Sequence, residues 1–202
     1  MNFLVVIVSY LLGSINFAYI TARIKGIDIS SEGSGNPGTS NVLRTLGKGS
    51  AAIVLLGDLL KGAIPIIFFY QDQYFLVYGL AAVVGHIYPV FYKFKGGKGV
   101  ATYLGVYVAT VLMNPYNSDL FNIEIFQILN IPVLAFFYFV VFKTTRVSAI
   151  ASLATVLVTV SLLIYINNEI SNVVVLVFLF VLILIKHSEN IKRLREGKEN
   201  KF

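Results

Sequence analysis

The sequence predicts an all-α fold: a polytopic membrane helix bundle of about seven transmembrane helices, with the N-terminus outside and the C-terminus cytoplasmic. Three observations carry this. Hydrophobic residues make up 57% of the chain and charged residues 13%, with a mean hydropathy of +0.80; soluble domains hold about twice that charge. The apolar residues gather in runs near the roughly 20 residues that a bilayer crossing needs. The Lys and Arg residues fall in alternate connections between those runs.

Seven segments follow in order: 3–22, 51–70, 74–92, 100–113, 125–142, 149–166 and 173–186. The fourth and seventh are short, and the fourth is compatible with a partial crossing. None alternates with period two over about ten residues, which argues against a β-barrel. Segment 3–22 resembles a signal peptide in hydropathy, but no basic residue precedes it while Arg23 and Lys25 follow it. That suits a retained helix with its N-terminus outside. Small residues at four-residue spacing, Ser14, Ala18 and Ala22, then Ala151, Thr155 and Thr159, predict close helix packing.

The charge pattern fixes the expected topology. Connections 23–50, 93–99 and 143–148 and the C-terminal stretch hold fifteen of the sixteen Lys and Arg residues, and connections 71–73, 114–124 and 167–172 hold none. The sixteenth, Lys61, lies within a span. By the positive-inside rule the basic connections are cytoplasmic. The net charge of +6 is therefore read as membrane topology, not as a nucleic-acid surface. The 202 residues suit a single domain, 1–202. Without Cys, disulfide and thiolate chemistry are excluded, and two His residues argue against a multi-histidine metal site. No metal or cofactor is expected.

Three cytoplasmic stretches hold polar chemistry. The first, "GSGNPGTSNVLRTLGKG" (33–49), has five glycines and six hydroxyl or amide side chains. Asn36-Pro37-Gly38 is a turn signal. Successive backbone N–H groups there can form an anion-binding nest, with Ser34, Thr39, Ser40 and Asn41 as further donors and Arg44 as a phosphate-matching fork. The alternative is a flexible connection. It is not a Walker loop: Thr39 stands where Lys is required. The second, "GHIYPVFYKFKGGKGVAT" (85–102), centres on Gly96-Gly97-Lys98-Gly99 at the start of a helix, whose N-terminus favours an anion. Lys93 and Lys95 read as lipid-headgroup contacts. The third, "KHSENIKRLREGKE" (186–199), is expected to continue the last helix as far as Gly197, with His187 and Asn190 on one face. Its basic residues also suit an anchor on anionic lipid. Asp58 and Lys61, three apart within a span, are either a structural ion pair or a ligand contact, and connection 143–148 offers Arg146 and Ser148. Polar groups at the membrane surface fit an enzyme on an amphiphilic or phosphorylated substrate better than a transporter, whose site belongs near the midplane. A transporter of phosphorylated lipid precursors and a lipid-binding scaffold are the competing classes.

These three stretches resemble the three cytoplasmic motifs of the bacterial acyl-phosphate:glycerol-3-phosphate acyltransferase family, in the same order and over nearly the whole chain. Thr39-Ser40 departs from the family's usual Ala-Thr, and Ser188 from a common basic residue. The resemblance implies transfer of a fatty acyl group from acyl phosphate to the 1-hydroxyl of glycerol 3-phosphate in phospholipid synthesis. It implies a bacterial cytoplasmic membrane location, an active site facing the cytoplasm, membrane lipid as surroundings and no cofactor; the chain is taken as a monomer. Ser34, Arg44, His187 and Asn190 are implied as catalytic. Asn36, Thr39, Ser40, Asn41, Gly96, Gly97, Lys98, Gly99 and Ser148 are assigned to substrate binding, and Glu199 is implied as structural. No HxxxxD signature is present: Phe91 lies five positions after His86, and Lys192 five after His187. The base that takes the hydroxyl proton is either His187 or the phosphate of the acyl donor.

Overall fold

The computed structural model describes residues 1–113, 123–167 and 169–202, without the side chains of 123–128. The expected connection 114–124 therefore falls largely outside the described residues. Nine α-helices are described: α1 (Phe3–Ser14), α2 (Phe17–Ile24), α3 (Thr39–Phe69), α4 (Phe75–Ile87), α5 (Val100–Met113), α6 (Ile123–Thr145), α7 (Ser148–Ile166), α8 (Ile170–Lys186) and α9 (Ser188–Arg195). No strand occurs among the described residues. Four stretches are long and apolar enough to cross a membrane: Phe3–Ile24, Thr39–Phe69, Phe75–Tyr92 and Ser148–Ile166. A fifth is Ile170–Lys186 taken with Ser188–Arg195, a pair bent by 52°. The remaining expected segments fall on shorter apolar helices. Large apolar side chains such as Phe3, Leu56, Phe68 and Phe136 stand exposed on these helices, as a lipid-embedded surface requires. This is an integral membrane protein.

Three helix boundaries differ from the sequence expectation. The first span is two helices, broken at Ile15-Asn16. Asn16 caps α2 by accepting from the amides of Ala18 and Tyr19. The polar stretch 33–49 is not all loop, because residues 39–46 are helical and α3 kinks at Gly47, where φ is +82°. The helix forms there because Val42, Leu43 and Leu46 bury an apolar face against Ala18, Ala22, Ile29, Ala51 and Val54. The last helix does not run straight to Gly197: it bends at His187 and ends at Arg195.

The chain forms two compact units, Met1–Thr110 and Val111–Phe202. In the first, α1 meets α4 at backbone contact: a Cβ on Gly13 would overlap the carbonyl of Ala82, and one on Gly85 the carbonyl of Tyr10. In the second, α7 buries Ala151, Thr155, Thr159 and Leu163, and α8 buries Leu176, Leu179 and Ile183. The Thr155 and Thr159 hydroxyls donate to the carbonyls of Ala151 and Thr155, so neither polar group is stranded in an apolar layer.

Candidate active site

In the first unit the loop before α3 is organised by Asn41. Its Oδ1 accepts from the Ser34 amide at 2.9 Å and its Nδ2 donates to the Glu32 carbonyl at 2.9 Å. Gly33 and Gly35 take positive φ, +56° and +68°, which tightens the turn around them. Upstream, the Ser30 hydroxyl and amide donate to Asp28 and hold its carboxyl below the ordinary carboxylate value. The N-cap of α3 is Gly38, which has no side chain to fill that role. Thr39 Oγ1 is buried without a hydrogen-bond partner. Ser34 and Arg44 are exposed, and Asn36 and Ser40 are half-buried. A helix start with an uncapped first turn and donors around it is suited to an anion.

The second loop begins where Pro89 stops α4. A 3₁₀ turn over Val90–Tyr92 follows, with Lys93 and Phe94 left-handed. Tyr92 stacks on Tyr19 of α2, ring centroids 4.6 Å apart. The chain then returns so that the Gly97 amide donates to the His86 carbonyl at 3.2 Å. Gly99 has φ +86° and opens α5, accepting from the Tyr103 amide. Lys98 is half-buried beside this helix start. A Cβ on Gly97 would come within 3.1 Å of the Pro37 carbonyl, so the two glycine-rich loops touch. Two anion-favouring backbones therefore lie side by side in one unit.

In the second unit His187 sits at the α8–α9 bend, 2% exposed, and Asn190 is 4% exposed. His187 Nδ1 lies 2.8 Å from the Ile183 carbonyl. A carbonyl only accepts, so Nδ1 carries the hydrogen and, in the neutral ring, Nε2 is the acceptor. Asn190 Nδ2 donates to Glu199 Oε1 at 2.8 Å, and Arg193 Nε donates to Glu199 Oε2 at 2.9 Å. Glu199 is delivered by a Schellman turn: Gly197, φ +68°, donates to the Leu194 carbonyl and Lys198 to that of Arg193. The tail then bonds Arg146, the Phe202 amide donating to its carbonyl at 3.0 Å. Ser148, half-buried, begins α7 two residues on.

The sequence marks the polar stretches but gives no role to two residues that organise them, Asn16 and His86. Asn16 was hidden within an apolar run, though a lone amide there marks a break in the helix. His86 sits in the second stretch with no sequence signal of a role, and the spacing of Asp58 and Lys61 fits either an ion pair or a ligand contact. The structure gives Lys61 partners within the protein: its Nζ donates to the Ile15 carbonyl at 2.7 Å and lies 2.9 Å from Asp58 Oδ1.

Paired anion-favouring loops next to the spans of an integral helical protein suit a membrane enzyme whose substrate carries an anionic group. Comparison with known proteins narrows the class. Residues 3–197 match the family model for glycerol-3-phosphate acyltransferase. The chain is 37% identical to the glycerol-3-phosphate acyltransferase of Geobacter sulfurreducens, covering 96% of this chain and 94% of that one. It is 39% identical to that of Aquifex aeolicus, covering 98% and 97%. Among solved structures it resembles the crystal structure of PlsY (YgiH), an integral membrane glycerol 3-phosphate acyltransferase, in its glycerol 3-phosphate form. The TM-score is 0.82 and the identity 36%, over 99% of this chain and 94% of that one. The lysophosphatidic acid form matches with a TM-score of 0.80. The chain belongs to the glycerol-3-phosphate acyltransferase family and is an acyltransferase.

Proposed function

We propose that this chain transfers a fatty acyl group from acyl phosphate to the 1-hydroxyl of glycerol 3-phosphate, giving 1-acylglycerol 3-phosphate and phosphate. The observation that carries this reading is the pair of adjoining loops, one opening α3 and one opening α5. Both substrates bear phosphate, so two anion sites are needed. The solved relatives with glycerol 3-phosphate and lysophosphatidic acid support the same acceptor and product.

In this reading Arg44 and the Ser34 loop bind phosphate with Asn36, Thr39, Ser40 and Asn41, and Gly96–Gly99 with Lys98 bind the other. His187, Asn190 and Ser148 orient the acceptor. The acceptor hydroxyl attacks the acyl carbonyl, and the carbonyl carbon–oxygen bond to phosphate breaks. The hydroxyl proton passes to an oxygen of the departing phosphate. Phosphate is a good leaving group, so no protein nucleophile is required. His187 acts through its Nε2 to orient the acceptor substrate by its other hydroxyl, leaving the proton of the attacking one to the phosphate, since the group bonded to Nδ1 is a carbonyl and not an acid. We take the chain as one catalytic domain, a monomer in the bacterial cytoplasmic membrane. It crosses seven times with the N-terminus outside and the site facing the cytoplasm, the arrangement that the alternation of basic connections favours.

The test is direct. Purified protein given acyl phosphate and glycerol 3-phosphate should release phosphate and form lysophosphatidic acid in equal amounts. Phosphate release without acylated product would make it a hydrolase instead.

A further inference from the structure

Asp58, Lys61 and His86 are 1%, 2% and 3% exposed. They lie within membrane-crossing helices, where charged groups are costly to keep. Lys61 holds the Ile15 carbonyl at the break between α1 and α2 and sits 2.9 Å from Asp58 Oδ1. His86 Nδ1 is 3.5 Å from that same oxygen. Neither Asp58 Oδ1 nor His86 Nδ1 completes a well-aligned hydrogen bond. Maximal stability would not be built this way, because apolar residues of similar volume commonly replace buried ion pairs without loss.

What distinguishes the cluster is the other edge of His86. Its Nε2 occupies the space where a Cβ on Gly97 would lie, and its carbonyl occupies the space beside Gly96. That carbonyl also receives the Gly97 amide at 3.2 Å. The same Cβ position on Gly97 lies 3.1 Å from the Pro37 carbonyl of the first loop, and that carbonyl in turn accepts from Asn16 Nδ2 at 3.5 Å. One histidine thus packs against both Gly96 and Gly97, and Pro37 of the first loop closes on the same face of Gly97.

We propose that His86, held by Asp58 and Lys61, is a positioning residue that sets the Gly96-Gly97 backbone against the first glycine-rich loop and so shapes the phosphate cradle. The proposal rests on the reading of Gly96–Gly99 as a phosphate-binding loop. It gives Gly97 a second reason to be glycine: a side chain there displaces His86.

The experiment is steady-state kinetics in detergent, with acyl phosphate and glycerol 3-phosphate each varied. His86→Ala and Gly97→Ala should raise the KM of the same substrate by about tenfold, as expected when the loop loses or overfills the packing that holds its backbone in place. Neither should change kcat by more than about threefold. The double variant should be no worse than the poorer single one, because both changes act on one contact. Asp58→Asn should move the same KM and not the other. Fully multiplicative effects, or unchanged KM values in His86→Ala or Asp58→Asn, overturn the proposal. Failure of the underlying reading looks different: Lys98→Ala and Gly97→Ala then leave both KM values unchanged. If only the present proposal fails, Lys98→Ala raises a KM and His86→Ala does not. Should His86→Ala not fold, His86→Gln takes its place and must still raise that KM; a wild-type value overturns the proposal equally.

Discussion

One carboxylate, Glu199, receives both Asn190 at 2.8 Å and Arg193 at 2.9 Å, so the tail fixes the side chain expected beside the acceptor substrate. Removing it takes a charged acceptor away from an amide that is largely buried. Glu199→Ala should destabilise the protein by about 1–3 kcal/mol, the cost of losing charge-assisted bonds from Asn190 and Arg193. Thermal unfolding in detergent measures this. An unshifted midpoint would mean that the tail contributes nothing to α9.

Arg44 should bind phosphate through two guanidinium N–H groups, which Lys cannot copy. Arg44→Lys should lose activity by more than about tenfold, the factor that about 1.4 kcal/mol supplies, while the protein remains folded in detergent. Near-normal turnover would move the phosphate site away from α3.

For His187 the two mechanisms separate in saturated turnover. With phosphate as the base, His187→Ala should raise the KM for glycerol 3-phosphate and lower kcat by less than about tenfold. General-base loss would instead cost about 10²–10⁴-fold in kcat with binding unchanged and the pH profile flattened, and that result would transfer the role to His187.

How much of this was legible beforehand follows from what each signal measures. The all-helical, membrane-embedded class was readable because apolar runs report burial in lipid whatever the packing partner. The helix over 39–46 was not, because glycines and hydroxyls dominate 33–49 and conceal the apolar stripe of Val42, Leu43 and Leu46. The polar residues of the three stretches could be picked out by type, since anions need donors. Asn41 could not be told from its neighbours, because an amide that shapes a loop and one that meets a ligand look alike until the Ser34 and Glu32 contacts are seen. His86 was silent for a similar reason: its partners Asp58 and Gly97 lie 28 positions before it and 11 after it.

Topology has its own test. The chain has no Cys, so single cysteines at the exposed positions Lys48 and Lys192 can be labelled selectively. Both should react with an impermeant reagent only from the cytoplasmic side. Labelling of either in intact cells would refute the proposed orientation.

Asp72 accepts from Tyr78 Oη at 2.6 Å and from the Tyr74 amide at 2.9 Å, and these bonds hold its carboxyl below the ordinary value. A folded-state pKa below the unfolded one, about 3.9, gives stability that is present above the unfolded pKa and is lost as pH falls through the folded pKa. Tyr78→Phe removes the first of these bonds, along with the one that Tyr78 receives from the Asn2 amide. Its melting point should be lower at pH 7, and the gap to wild type should narrow below about pH 4. A gap constant across that range would assign the loss to Asn2 alone.

The Lys61 bond to the Ile15 carbonyl also bears on biogenesis. A helix entering the bilayer alone with Asp58 and Lys61 near its middle meets an opposing insertion cost of about 2.5–3.5 kcal/mol for each charge, while the broken first span leaves a carbonyl without its helical partner. Each segment supplies what the other lacks. The two therefore gain by entering the lipid as a hairpin, and a Lys61→Leu chain, though more apolar, should leave its first span less securely inserted.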